Sequence, residues 1–150
     1  LGAHVTGLCS TRDVERSRGF GADEVIDRTQ ADAFAGGPTY DVVFDTPAAY
    51  SFGRCAGVLN PGGAYVTTLP DGGLVLGMLR ALFSSRRCHF VQVASKRADL
   101  DLVGGWLSDG LQVPIDSTHP VADLGTALAR QQDRSRVGRV VVDVAGGWGN

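Results

Sequence analysis

Lysine is almost missing from this chain. Lys96 is the only one among 14 basic residues, and the formal charge is −2. Without a basic field the chain has no electrostatic hold on nucleic acid. No apolar run reaches membrane-spanning length, and no signal peptide precedes the first strand-like segment. Cysteine is scarce as well. Cys9, Cys55 and Cys88 stand far apart, form no C-x-x-C, and have no histidine cluster beside them, since His4, His89 and His119 are scattered. This spacing argues against a metal site and for small apolar thiols in or near strands. Reduced thiols fit the cytoplasm. The chain opens at Leu1 with no initiator methionine, already in strand-like residues, and reads as the middle of something longer. It also holds no glycine-rich strand–turn–helix. Gly19-Phe20-Gly21 follows a helix and precedes a strand, the reverse of what a phosphate loop requires.

What is present is a 150-residue globular composition, 43% hydrophobic and 20% charged, sufficient for one domain with a core. Short β-branched runs alternate with amphipathic stretches. Strands are predicted at 3–9, 24–27, 40–45, 64–68 and 89–93. The third, Tyr40 to Asp45, is so apolar that it reads as covered on both faces. Helices are predicted from Ser10 or Thr11 to about Gly19, then at 51–59, 74–84 and 99–108, with a tight turn at Asn60-Pro61-Gly62-Gly63. The β-α rhythm with short loops predicts an α/β fold built on a doubly wound parallel sheet. The style changes after Gln112. A short extended piece at 113–116 contains Pro114, which argues against a central strand. A helix over 121–133, a strand over 137–144 broken by Gly138, and a tail at 146–150 follow. Residues 1–112 therefore read as one nucleotide-binding unit and 113–150 as a C-terminal helix–strand segment.

Ligands of open parallel sheets bind beyond the carboxyl ends of the strands. After the first strand stand Ser10, Thr11 and Arg12, where an NAD-preferring domain carries an acidic residue for the ribose 2′-hydroxyl. Two hydroxyls and a guanidinium suit a 2′-phosphate instead, hence NADP(H). An ordinary capped helix with solvated arginines accounts for the same residues. The third and fourth strands end in Asp45-Thr46-Pro47 and Thr67-Thr68-Leu69-Pro70, small polar tips that a flat cofactor ring can approach. Asp45 reads as a carboxylate that bonds loop amides rather than as a catalytic group.

These segments together resemble the medium-chain dehydrogenase/reductase family, in its zinc-independent quinone-oxidoreductase and enoyl-reductase branch. The matching stretches are 2–11, 21–27, 40–46, Leu59-Asn60-Pro61-Gly62-Gly63 and Gly138-Arg139-Val140-Val141-Val142, in order and across almost the whole chain. The resemblance implies a Rossmann-like domain of an NADPH-dependent reductase that passes hydride to a quinone, enone or related carbonyl, commonly dimeric and without a metal. It assigns Ser10, Thr11 and Arg12 to the 2′-phosphate; Arg28, where the family has tyrosine, either adds a second contact to that phosphate or is simply solvated. Thr46, Pro47, Thr67 and Thr68 would line the cofactor cleft. It names no catalytic residue, because hydride transfer here depends on placing ring and acceptor face to face. The segment from Val113 onward corresponds to the piece that returns to the family's substrate domain.

The departures are as informative. The first Rossmann strand, its glycine loop and the helix behind it have no counterpart, so the amides that hold the pyrophosphate are absent from this sequence. After Thr46 the family has a valine and two glycines, whereas this chain has Pro47, Ala48 and Ala49; the proline removes an amide donor. In the strand order 3-2-1-4-5-6 the missing strand is the central one, which leaves two unpaired inner edges. The half-sheets then close on each other, a second copy fills the gap, or the missing half is another polypeptide; self-association is the expected outcome. Two other readings stay open. One is a non-catalytic domain kept for dimerisation or ligand binding. The other, more remote, is an S-adenosylmethionine methyltransferase, which shares the strand and the Asn-Pro-Gly-Gly turn but requires an acidic ribose contact.

Overall fold

A computed structural model describes residues 2–70, 72–92, 94, 96–133 and 135–145. The tail expected at 146–150, and Val93 at the end of the expected fifth strand, lie outside the described residues. The chain divides into two compact units, Leu1–Ala94 and Ser95–Asn150. The change of sequence style noted at Gln112 falls inside the second of these.

In the first unit, strand β1 (Thr6–Cys9) leads through a 3₁₀ turn, Thr11–Asp13, into helix α1 (Val14–Gly19) and back to strand β2 (Glu24–Asp27). β1 and β2 pair in parallel. Asp23 locks their starts: its carboxylate accepts from Val5 N at 2.7 Å while its own amide donates to Val5 O at 2.9 Å. Strand β3 (Tyr40–Asp45), helix α2 (Phe52–Cys55), strand β4 (Leu59–Thr67), helix α3 (Gly72–Ala81) and strand β5 (Arg87–Phe90) follow. They form a second parallel sheet in the order β3-β4-β5. Each helix lies between two parallel strands, as crossover connections demand.

The expected turn at Asn60–Gly63 lies within β4, at a break in its register with β3. The reason is steric and local. Gly62 has φ +81°, and a Cβ at Gly63 would stand 2.9 Å from Asn60 O and 3.1 Å from Asp41 O. The chain bulges here instead of leaving the sheet. The helix expected over 51–59 is shorter than predicted: it tightens to 3₁₀ over Ala56–Val58, and Leu59 already belongs to β4. Its first turn is capped by the Ser51 side chain, which accepts from Arg54 N.

Phe52, Cys55, Leu59 and Tyr65 form the buried core of this unit, with Phe34, Val43, Tyr50 and Cys88 packed against them. β3 meets that core with one face only. Val42 and Phe44, on the other face, are 57% and 60% exposed. The expectation that β3 is covered on both faces therefore fails: its apolar run is that of a buried strand, but nothing among the described residues packs on its second side. Nor does the gap between the half-sheets close. Among the described residues β1 pairs only with β2 and β3 only with β4, which leaves one edge of each unpaired.

The second unit contains helix α4 (Arg97–Ser108), strand β6 (Ile115–Pro120), helix α5 (Leu124–Gln132) and strand β7 (Arg139–Asp143), with β6 and β7 parallel. Prolines punctuate β6: Pro114 precedes it and Pro120 ends it, so neither interrupts the ladder interior. β7 begins just after Gly138, which has φ +97° and where a Cβ would fall 2.2 Å from Pro114 O. Only glycine fits there. Arg139 N then donates to Pro114 O at 2.9 Å and opens the pairing. Among the described residues no helix is long and apolar enough to cross a membrane.

Candidate functional site

The free edges of β1 and β3 face a cleft of about 340 Å³, lined by Thr6 and Leu8 from one strand and by Val42 and Phe44 from the other. Thr46 and Pro47, both expected at the cofactor cleft, stand on its wall. A more polar hollow of about 310 Å³ adjoins it, sharing Leu8, Phe34 and Tyr50 and adding Arg28, Thr29 and Arg54. Its lining includes a tilted aromatic pair: Phe34 and Tyr50 have ring centroids 4.7 Å apart, and the Arg54 guanidinium lies 5.3 Å from the Phe34 ring centre. Asp32 holds Arg54 in place at 3.1 Å. The sequence reading did not identify this aromatic pair. Phe34 and Tyr50 lie in different loops and carry no spacing signal.

The loop after β3 is held by Asp45. This carboxylate is 5% exposed and accepts from Ala49 N at 3.1 Å and Tyr50 N at 2.8 Å, the amide-binding role read from the sequence. The loop passes through Ala48 at φ +50°, the left-handed region that glycine favours. The Thr68 hydroxyl donates to Thr46 O at 3.0 Å, so these two expected site residues are brought together where β3 and β4 end. Thr67 is not with them. It is 2% exposed and lies beside Ser51, Phe52 and Tyr65, away from the cleft lining.

At the ends of β1 and β2 the expected phosphate ligands are already engaged. Ser10 donates its hydroxyl proton to Asp13 Oδ2 at 2.7 Å, and Arg12 Nε reaches the same oxygen at 3.3 Å. Arg16 donates to Asp13 Oδ1 at 2.7 Å. The Ser10 hydrogen bond, with the neighbouring arginines, holds the Asp13 carboxyl below the usual carboxylate range. The Thr11 and Thr29 hydroxyls lie 2.7 Å apart, and Thr29 donates to Asp27 Oδ1 at 2.7 Å. These two hydroxyls lower the Asp27 carboxyl in the same way. Arg28 differs: its amide donates to Cys9 O at 2.9 Å, but among the described residues its guanidinium makes no hydrogen bond or ion pair. Asp13 was missed in the sequence reading, although Ser10-x-x-Asp13 is a spacing at which side chains at a helix start meet.

Among the described residues no three His, Cys, Asp or Glu side chains come together as a metal site. Cys55 is fully buried in the core, and burial pushes its thiol up to about 12.

Comparison with known proteins gives a consistent picture. The sequence matches the family described as zinc-binding dehydrogenase over residues 20–142. It is 28% identical to the trans-enoyl reductase pgmF of Aspergillus terreus, across 99% of this chain and 47% of that protein. It is 25% identical to a chloroplast envelope quinone oxidoreductase homolog of Arabidopsis thaliana, across 94% of this chain and 45% of that one. The fold superposes on the quinone oxidoreductase of Coxiella burnetii with a TM-score of 0.78 at 19% identity, covering 95% of this chain and 45% of that structure. The chain thus spans a little under half the length of these proteins.

Proposed function

Because the chain belongs to the zinc-binding dehydrogenase family, we propose that it is the cofactor-domain portion of an NADPH-dependent oxidoreductase that reduces a quinone, an enone or a related carbonyl. The observation that carries this reading is the position of Arg28. A guanidinium with no hydrogen bond or ion pair among the described residues borders a hollow at the end of β2, beside the paired hydroxyls of Thr11 and Thr29. Guanidinium and hydroxyl donors are the chemistry that grips a ribose phosphate. NADPH, when bound, supplies the hydride. The chain's part is to anchor the ribose end at Ser10, Thr11, Arg12 and Arg28 and to present Thr46, Pro47 and Thr68 to the ring. Asp45 fixes the loop between these two tasks by holding its amides.

In this reading no metal takes part, and the reaction needs groups beyond these 150 residues, since the sequence contains no pyrophosphate loop. The open edges of β1 and β3 suit a further strand, from a second copy or from the missing N-terminal half. The free thiols suit a reducing compartment, the cytoplasm. Titration of the chain with NADPH and NADH, followed by calorimetry, tests the proposal. Binding of NADPH in preference to NADH supports it. No binding of either at millimolar concentration turns the balance to a non-catalytic dimerisation or ligand-binding domain, a reading favoured by Pro47 and by the left-handed Ala48 in the loop where the resemblance expects glycines.

A further inference from the structure

We propose that Asp13 sets this site's choice between a phosphorylated and a free ribose 2′ position; the proposal rests on the reading of Ser10, Thr11, Arg12 and Arg28 as the ribose end of a nucleotide site. The hydroxyl of Ser10 has one proton, and it goes to Asp13 Oδ2 at 2.7 Å. Arg12 shares that oxygen at 3.3 Å, and Arg16 takes the other at 2.7 Å. One carboxylate therefore takes the Ser10 proton and the Nε of Arg12, two donors that a 2′-phosphate would use, and adds a negative charge beside them. A free 2′-hydroxyl meets no such conflict, because it can donate to the same carboxylate.

Thr11 is committed elsewhere, to Thr29 and through it to Asp27. Arg28 is left as the unengaged cation of the cluster among the described residues, and it pulls toward phosphate. Arg28 and Asp13, of opposite charge, therefore favour opposite ligands. Replacing Asp13 by its neutral isostere frees Ser10 and Arg12 and removes the like charge, while an amide can still accept from Arg16. The variant Asp13→Asn gains affinity for a 2′-phosphorylated nucleotide.

The test uses the 150-residue chain and two small probes, adenosine 2′,5′-bisphosphate and 5′-AMP, which differ only in the 2′-phosphate and need no pyrophosphate loop. Calorimetry gives the ratio of their dissociation constants for wild type, Asp13→Asn and Glu15→Gln. Glu15 pairs with Arg18 and is 85% exposed, so its variant removes the same charge without freeing Ser10. The expected result is a preference for the bisphosphate in wild type that grows about tenfold in Asp13→Asn, the effect of removing one like charge from beside an anion, and less than twofold in Glu15→Gln. Adding Ser10→Ala to Asp13→Asn should cancel most of the gain. An unchanged ratio in a folded Asp13→Asn overturns the role of Asp13 and leaves the nucleotide reading standing. Equal gains from both charge removals also overturn it, because the effect is then general electrostatics. If neither wild type nor Asp13→Asn distinguishes the probes, the ribose-phosphate reading falls and the role of Asp13 with it. If only Asp13→Asn distinguishes them, the role of Asp13 holds and wild type is not selective for NADPH.

Discussion

The Tyr65 hydroxyl donates to the Tyr50 carbonyl at 2.7 Å, with Asp45 Oδ2 only 3.2 Å from the same oxygen. Tyr65 lies on β4, and Tyr50 and Asp45 bracket the loop after β3, so one buried hydroxyl fastens the loop to the neighbouring strand. Tyr65→Phe keeps the ring contact with Phe52 but leaves the Tyr50 carbonyl without this donor. The expected cost is about 1–3 kcal/mol, read as a lower urea midpoint at unchanged slope. A loss below about 0.5 kcal/mol would mean that water replaces the hydroxyl and that the fastening is not structural.

Ala48 offers the opposite prediction. Its φ of +50° costs an L-residue about 1–2 kcal/mol, part of which glycine returns through its greater freedom in the unfolded chain. Ala48→Gly should stabilise the first unit by about 0.5–1 kcal/mol, and Ala48→Val should destabilise it by more than that, since a β-branched residue is least tolerant of the left-handed region. Thermal denaturation of the two variants in parallel decides. Equal melting points would show that the loop relaxes out of this conformation.

In the second unit, Arg130 grips Asp116 through two hydrogen bonds of 2.6 and 2.7 Å, and Val137 N donates to the same carboxylate at 2.7 Å. The guanidinium, then the amide, holds the Asp116 carboxyl far below its ordinary 3.8. A carboxyl lowered by folding stabilises above its unfolded value, and that contribution drains away as pH falls through the folded value. Wild type should therefore lose stability progressively as pH falls below about 4, and Asp116→Asn should show a flatter acid limb. Superimposable acid titrations of the two, followed by circular dichroism, would remove the pair from any role in stability.

The free edges of β1 and β3 predict self-association or capture of a missing half. Sedimentation velocity should show a species larger than the monomer at micromolar concentration. Phe44→Asp, at a position 60% exposed and bordering the cleft, should shift it toward monomer without unfolding. A wild-type chain that remains a folded monomer up to high concentration would count against an interchain strand.

Thiol chemistry provides a fifth check. Cys55 is fully buried with its thiol raised to about 12, and burial raises the Cys88 thiol as well. Under native conditions a thiol reagent should label Cys9 first, Cys88 more slowly, and Cys55 only on unfolding. Mass spectrometry of labelled peptides over time checks the order. Early labelling of Cys55 would contradict the packing of α2 on β4.

Much of the fold was legible because its signals are local. β2 and β3 occupy the predicted residues, since β-branched runs bounded by turn residues specify a strand without help from the rest of the chain. The Asn-Pro-Gly-Gly segment was legible as a special backbone but not as a bulge, because only pairing with β3 keeps it in the sheet. At the candidate site, the residues at strand ends could be named in advance. Their engagements could not: Asp13 taking the Ser10 proton, and Thr67 turning into the core, depend on which way short side chains point.

By itself the sequence determined the α/β rhythm, the strand ends at Ser10, Arg28, Thr46 and Thr68, and the lack of a glycine-rich phosphate loop. These follow from periodicity and composition, which act over a few residues at a time. Only the tertiary structure decided that the two half-sheets do not pair with each other among the described residues, that β3 leaves Val42 and Phe44 exposed, and that Arg12 reaches Asp13 while Arg28 makes no ion pair among the described residues. Edge pairing, burial and ion pairing depend on which groups meet across long stretches of chain, and no local pattern encodes those meetings.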